Sequence, residues 1–130
     1  MAGTIIAGAI TADTLTHSTA GSIATNYLRQ GTKVWLRFNQ DTPAITDSFN
    51  VSSVDDVTTG EYRPNFSSAM SSANAFAVNA NSQNEASNSD SCNYPMSSDV
   101  TASRCRITCI EGNSPRDKGN NHYSISGELA

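Results

Sequence analysis

Lys33-Val34-Trp35-Leu36-Arg37-Phe38 is the stretch on which the fold turns. In an extended chain Val34, Leu36 and Phe38 fall on one side and Lys33, Trp35 and Arg37 on the other, the period-two pattern of a strand with one buried face. Downstream, Asn39-Gln40-Asp41-Thr42-Pro43 supplies turn chemistry, and Ala44 to Val51 alternates again, with Ile45, Asp47, Phe49 and Val51 on the apolar side. Asp47 on that side is expected at a strand end, hydrogen-bonded, or paired with an arginine. Val54 to Val57 leads into Thr58-Thr59-Gly60-Glu61, a hairpin in which Gly60 is free to take positive φ. The returning run Glu61 to Phe66 places Tyr62, Pro64 and Phe66 together. Pro64 has no N–H to give a ladder, so this strand is expected at a sheet edge or at a bulge.

Further strands are read at Ala75–Ala80, at Arg104–Ile110 with Cys105, Ile107 and Cys109 inward, and at His122–Leu129 with Tyr123, Ile125, Gly127 and Leu129 inward. Between them, residues 81–103 are dominated by Asn, Ser, Asp and Gln and read as one long polar loop. Upstream, residues 1–31 are rich in Thr, Ala and Gly with scattered Ile and show no sustained period. They read as an extended arm, or a short strand and a connector. The expected fold is therefore all-β: a compact antiparallel β-sandwich over residues 32–130, with an extended N-terminal arm over residues 1–31 serving attachment or oligomerisation.

Composition agrees with that class. Ser, Thr and Asn fill 45 of the 130 positions, and these residues compete for backbone hydrogen bonds inside helices. A chain of this length makes one domain. The net charge of −4, with Lys33 and Lys118 the only lysines, disfavours nucleic acid as a partner. The N-terminal stretch is interrupted by Thr4, Gly8 and Thr11 and has no basic residue before Arg29, so neither a signal peptide nor membrane insertion is expected.

The residues that carry chemistry are sparse. No G-x-S-x-G, H-E-x-x-H, phosphate loop or dinucleotide turn is present. His17 and His122 read as surface or packing residues. Asp47, Asp55, Asp56 and Glu61 are the acids from which a glycosidase pair would be drawn. Asp55, Asp56 and Glu61 lack the spacing of a calcium loop and read as a solvated hairpin tip. No metal, cofactor or catalytic residue is expected. Cys105 and Cys109, four residues apart on one strand, sit about 13 Å from each other, beyond disulfide reach. Cys92 remains open to pairing with either, or with neither.

From Lys33 to Met70 the chain resembles a module of bacteriophage tail-fibre and other virion structural proteins of marine and cyanophage type. The resemblance is carried by Lys33, Trp35 and Phe38, by Ser48, Phe49, Asn50, Val51, Ser52 and Ser53, and by Asp56, Gly60, Tyr62, Asn65, Phe66, Ala69 and Met70. Ala12 to Gly21 is similar to the N-terminal stretch of short phage appendage proteins. Pro64 and Arg37 depart from the pattern, and residues 81–130 match none of it. The resemblance implies a non-enzymatic virion component, assembled in the host cytoplasm as a homotrimer on a tail fibre or receptor-binding appendage and acting by multivalent adhesion. A capsid decoration protein is the alternative, and a carbohydrate-active depolymerase a distant one. Its partners would be other virion proteins and a host surface glycan or protein. Asn84, Asn88, Asp90, Asn93 and Tyr94 in the polar loop are the expected binding residues. Ile5, Ile6 and Ile10 of the arm and Trp35 on its strand are the expected subunit contacts.

Overall fold

A computed structural model describes residues 14–17, 21–24, 31–82 and 91–130, with side chains for residues 31–82 and 98–130. Among the described residues, strands run in chain order as β1 (Thr14–His17), β2 (Gly21–Ala24), β3 (Thr32–Asn39), β4 (Ala44–Phe49), β5 (Val51–Thr58), β6 (Glu61–Phe66), β7 (Phe76–Ser82), β8 (Ser91–Thr101), β9 (Arg104–Glu111), β10 (Ser114–Pro115) and β11 (Asn121–Gly127). Two antiparallel sheets pack face to face as a β-sandwich. The first has the order β4-β3-β11-β7; the second has β10-β9-β6-β5, with β8 also paired to β9. Within the residues 1–31 expected to form an extended arm, β1 and β2 make a two-stranded ladder of their own. Ile5, Ile6 and Ile10 lie outside the described residues.

The core follows the alternation. Val34, Leu36 and Phe38 of β3 and Tyr123 and Ile125 of β11 face Tyr62 and Phe66 of β6 and Cys105 and Ile107 of β9, and Met70 joins them from the following loop. Aromatic rings tie the sheets together: Phe38 and Tyr62 lie 5.4 Å apart between centroids, and Phe66 meets Phe76 edge-on at 6.2 Å. The Tyr62 hydroxyl is buried among these groups without a hydrogen-bond partner among the described residues. A stranded hydroxyl costs free energy that a phenyl ring of the same shape avoids, so Tyr62→Phe is expected to raise stability by about 1 kcal/mol. A rise in the urea midpoint checks this; a loss of similar size would mean the hydroxyl is satisfied.

At the corner between sheets, Asn50 takes φ 57° and joins β4 to β5. Its amide donates to the Lys33 carbonyl at 3.1 Å and the Ser68 carbonyl at 3.2 Å, and its side-chain oxygen accepts the Ser68 N–H at 2.7 Å. At the far end of β5, Gly60 turns the hairpin with φ 73°. Its N–H donates to Asp117 Oδ1 and its carbonyl accepts the Cys109 N–H, both at 2.6 Å.

Four expectations are corrected. First, β6 is interior, flanked by β5 and β9. Pro64 is accommodated there because the β6–β9 ladder has no pairs between Tyr62↔Ile107 and Asn65↔Arg104, and the bulges fall on the β5 side. Second, β4 is an edge strand and its apolar residues stay in solvent: Ile45 is 39% and Phe49 53% exposed. Register accounts for this: Phe49 pairs with outward-facing Trp35, and the shift between Arg37 and Phe38 sets Ile45 opposite Phe38 at the sheet's edge. Asp47 is exposed and accepts the Ser48 N–H at 2.9 Å, so it carries no burial cost.

Third, residues 91–101 form strand β8, not loop. Backbone pairing to β9 needs no apolar alternation, and a register shift between Pro95 and Val100 takes up the irregular stretch. Fourth, Leu129 lies outside the core, 39% exposed, although it bridges to Met70. The cysteine question closes as well. Cys105 and Cys109 are buried and not in disulfides, and β8 sets Cys92 opposite Ile110. Burial pushes the Cys105 thiol up to about 11.

Candidate functional site

The outward faces of the two sheets differ in how their charges are used. On the second sheet the charges are spent on each other. Arg63 donates from Nε and Nη2 to Asp55 Oδ2 at 2.9 and 2.7 Å and from Nη1 to Asp99 Oδ2 at 2.8 Å, while Arg104 Nε reaches Asp99 Oδ1 at 3.0 Å. Arg106 pairs with Glu61 beside them. Near the end of β9, the buried Lys118 ammonium lies 3.1 Å from Glu111. The acids considered as a calcium or glycosidase cluster are thus dispersed: Asp55 faces Arg63, Asp56 accepts a long 3.4 Å bond from Gln40, and Glu61 faces Arg106. Asp47 stands on the other sheet. No group of three or more metal-ligating side chains occurs among the described residues.

Hydrogen bonds from Arg63 hold the Asp55 and Asp99 carboxyls below the usual carboxylate range. A carboxyl whose folded pKa is depressed contributes stability above its unfolded value of about 3.9, and that contribution is lost as pH falls through the lower folded value. Asp99→Asn is therefore expected to flatten the fall in stability below about pH 4 relative to the parent. Urea midpoints between pH 6 and pH 2 check this. An unchanged acid limb would remove Asp99 from the linkage.

The first sheet is different. Register sets Phe49, Trp35, Ser124 and Asn79 side by side in one row across β4, β3, β11 and β7. The next row is Asp47, Arg37, His122 and Asn81. With neighbouring strands about 4.8 Å apart, each row spans roughly 14 Å. Arg37, His122, Asn79 and Asn81 are all exposed. Among the described residues, no side chain forms an ion pair or hydrogen bond with Arg37 or His122. The β3, β11 and β7 members of these rows border a shallow depression of about 260 Å³. A second depression of about 510 Å³ lies at the sheet's end, lined by Asn74 to Ala77 and Ser126 to Glu128.

Of the residues expected to bind, Asn84, Asn88 and Asp90 lie outside the described residues. Asn93 and Tyr94 belong to β8, opposite Cys109 and Thr108, not to a loop. Trp35 is on the outward face, as its alternation requires, and β4 brings Phe49 beside it. Asn79, Asn81 and His122 were not legible as site residues. Alternation in β7 sets Asn79 and Asn81 opposite Val78, but only the pairing of β7 and β3 to β11 brings them to Trp35. No protein-family model, no curated protein and no solved structure matches the chain.

Proposed function

We propose that this chain is a non-enzymatic structural protein of a bacteriophage particle, carried on a tail fibre or receptor-binding appendage, whose β-sandwich presents an adhesive face. The observation that carries the reading is the Trp35–Phe49 pair, set outward on the first sheet beside Arg37 and His122, two groups with no partner among the described residues. An exposed phenylalanine beside a half-buried, outward-facing tryptophan and unpartnered hydrogen-bond donors is costly to keep on a surface that touches nothing. The resemblance of Lys33–Met70 to virion modules supplies the setting. Assembly as a homotrimer would place several such faces on one appendage and raise weak contacts by effective concentration.

The exposed edge strand β4, with Ile45 and Phe49 in solvent, favours a second reading, a capsid decoration protein clamping a neighbouring subunit along that edge. Electron microscopy of particles labelled with gold-conjugated antibody to the chain separates the two. Label at tail or fibre tips is the expected result. Label confined to the head would replace the adhesion reading with the decoration reading, and unlabelled particles would remove both.

A further inference from the structure

We infer that the outward face of the first sheet binds an acidic polysaccharide, a chain of sugar rings bearing carboxylates, with Trp35 and Phe49 as the stacking platform and Arg37 and His122 as the anion-facing donors. The inference rests on the adhesion reading above and names the ligand class of that face.

Shape speaks first. A depression of about 260 Å³ is smaller than the clefts of about 300–1,000 Å³ that enclose small molecules. Its rim is formed by β3, β11 and β7, and with Phe49 and Asp47 of β4 beside it the two rows extend roughly 14 Å, three strand spacings. Such a face suits an extended chain lying across the strands. It does not engulf a compact ligand. Aromatic rings meet the apolar faces of sugar rings, and the polar edges then need donors and acceptors. Asn79, Asn81 and Ser124 stand within the same two rows to supply them.

Charge selects the class of sugar. The chain carries a net charge of −4, and Arg63, Arg104, Arg106, Arg116 and Lys118 are each within ion-pair distance of a carboxylate. Arg37 is different: it is exposed, and among the described residues no carboxylate comes within ion-pair distance of it, although Asp47 is its register partner across β4. A guanidinium held on a sheet face beside an aromatic ring is a ready fork for a carboxylate. Asp47 opposes an anion at the β4 end of the row, so the carboxylates of the ligand belong on the His122 and Asn81 side.

The test is isothermal titration of the chain with oligogalacturonate and with an uncharged malto-oligosaccharide of equal length. Binding of the acidic probe is expected, with the neutral probe at least roughly tenfold weaker. Trp35→Ala and Arg37→Gln are each expected to weaken acidic binding about tenfold, the scale of losing a central anchor. Asp47→Asn is expected to strengthen it, and added salt to weaken the parent more than Arg37→Gln. Thermal melts check that each variant folds; should Trp35→Ala fail, Arg37→Gln combined with Asn79→Ala carries the same test. Equal affinity for both probes, or binding to neither, overturns the proposal. So does self-association in sedimentation that Trp35→Ala abolishes, which would make the face a subunit contact. None of these results touches the virion reading, which stands or falls on particle labelling.

Discussion

Gly60→Ala is expected to cost about 3–5 kcal/mol, a large share of the roughly 5–15 kcal/mol that keeps a domain folded. Two independent causes add. A side chain at φ 73° is strained, by about 1–2 kcal/mol for left-handed backbone. A Cβ built on Gly60 would also lie 2.5 Å from the Arg116 nitrogen, 2.7 Å from the Cys109 carbonyl oxygen and 2.8 Å from Pro115 Cβ. Two of these atoms are backbone and cannot rotate away. Separation would in turn break the short bonds from Gly60 to Asp117 and Cys109, which pin the hairpin to β9 and to the loop after β10. Chemical denaturation reads the loss directly. Asp117→Ala isolates one strand of the argument and is expected to cost about 1–2 kcal/mol, since it leaves the Gly60 N–H without its acceptor. A Gly60→Ala protein within about 0.5 kcal/mol of the parent would show that the hairpin is not clamped as described.

Asn50→Ala is the second large effect, expected at about 2–3 kcal/mol. Asn50 is where the chain leaves one sheet for the other, and its amide closes three hydrogen bonds that hold β3 and the Ser67–Ser68 segment to that corner. Asparagine tolerates positive φ better than alanine, so the substitution adds strain to lost bonds. Asn50→Gly removes the bonds without the strain and is expected to be more stable than Asn50→Ala by about 1 kcal/mol. The two variants reversed in order would mean that the corner relaxes out of the left-handed region.

These two positions lie at turns between strands, and the strands themselves were unequally legible from sequence. Alternation in Lys33–Phe38 placed Val34, Leu36 and Phe38 inward correctly, because β3 lies inside its sheet and has the second sheet beneath it. The same reasoning failed for Ile45 and Phe49, whose alternation is equally good. A register shift that no local pattern reveals sets Phe49 opposite outward-facing Trp35 and Ile45 opposite Phe38 at the sheet's edge. Pro64 misled in the opposite direction: a missing N–H is compatible with an interior strand when the neighbouring ladder skips that pair. Strand β8 was hidden because its polar residues carry no periodicity, and its place is set by long-range pairing to β9.

The candidate face was half legible. Trp35 and Arg37 stand out on the polar side of one strand, but Ser124 and His122 lie nearly ninety residues away and reach them only through the β3–β11 pairing. Long-range register of that kind leaves no local trace. The unengaged state of Arg37 is likewise a tertiary fact, visible only once Arg63, Arg104, Arg106, Arg116 and Lys118 are seen to have found carboxylates.

Trp35 is the only tryptophan in the chain, so its fluorescence reports on this face alone. The most direct measurement is acrylamide quenching of that emission, in the free chain and with saturating oligogalacturonate. The expected result is an accessible Trp35 in the free chain and clear protection once the ligand is bound. Binding seen by calorimetry with Trp35 quenched as readily as before would place the ligand elsewhere and contradict the assignment of the first sheet's outer face as the adhesive surface.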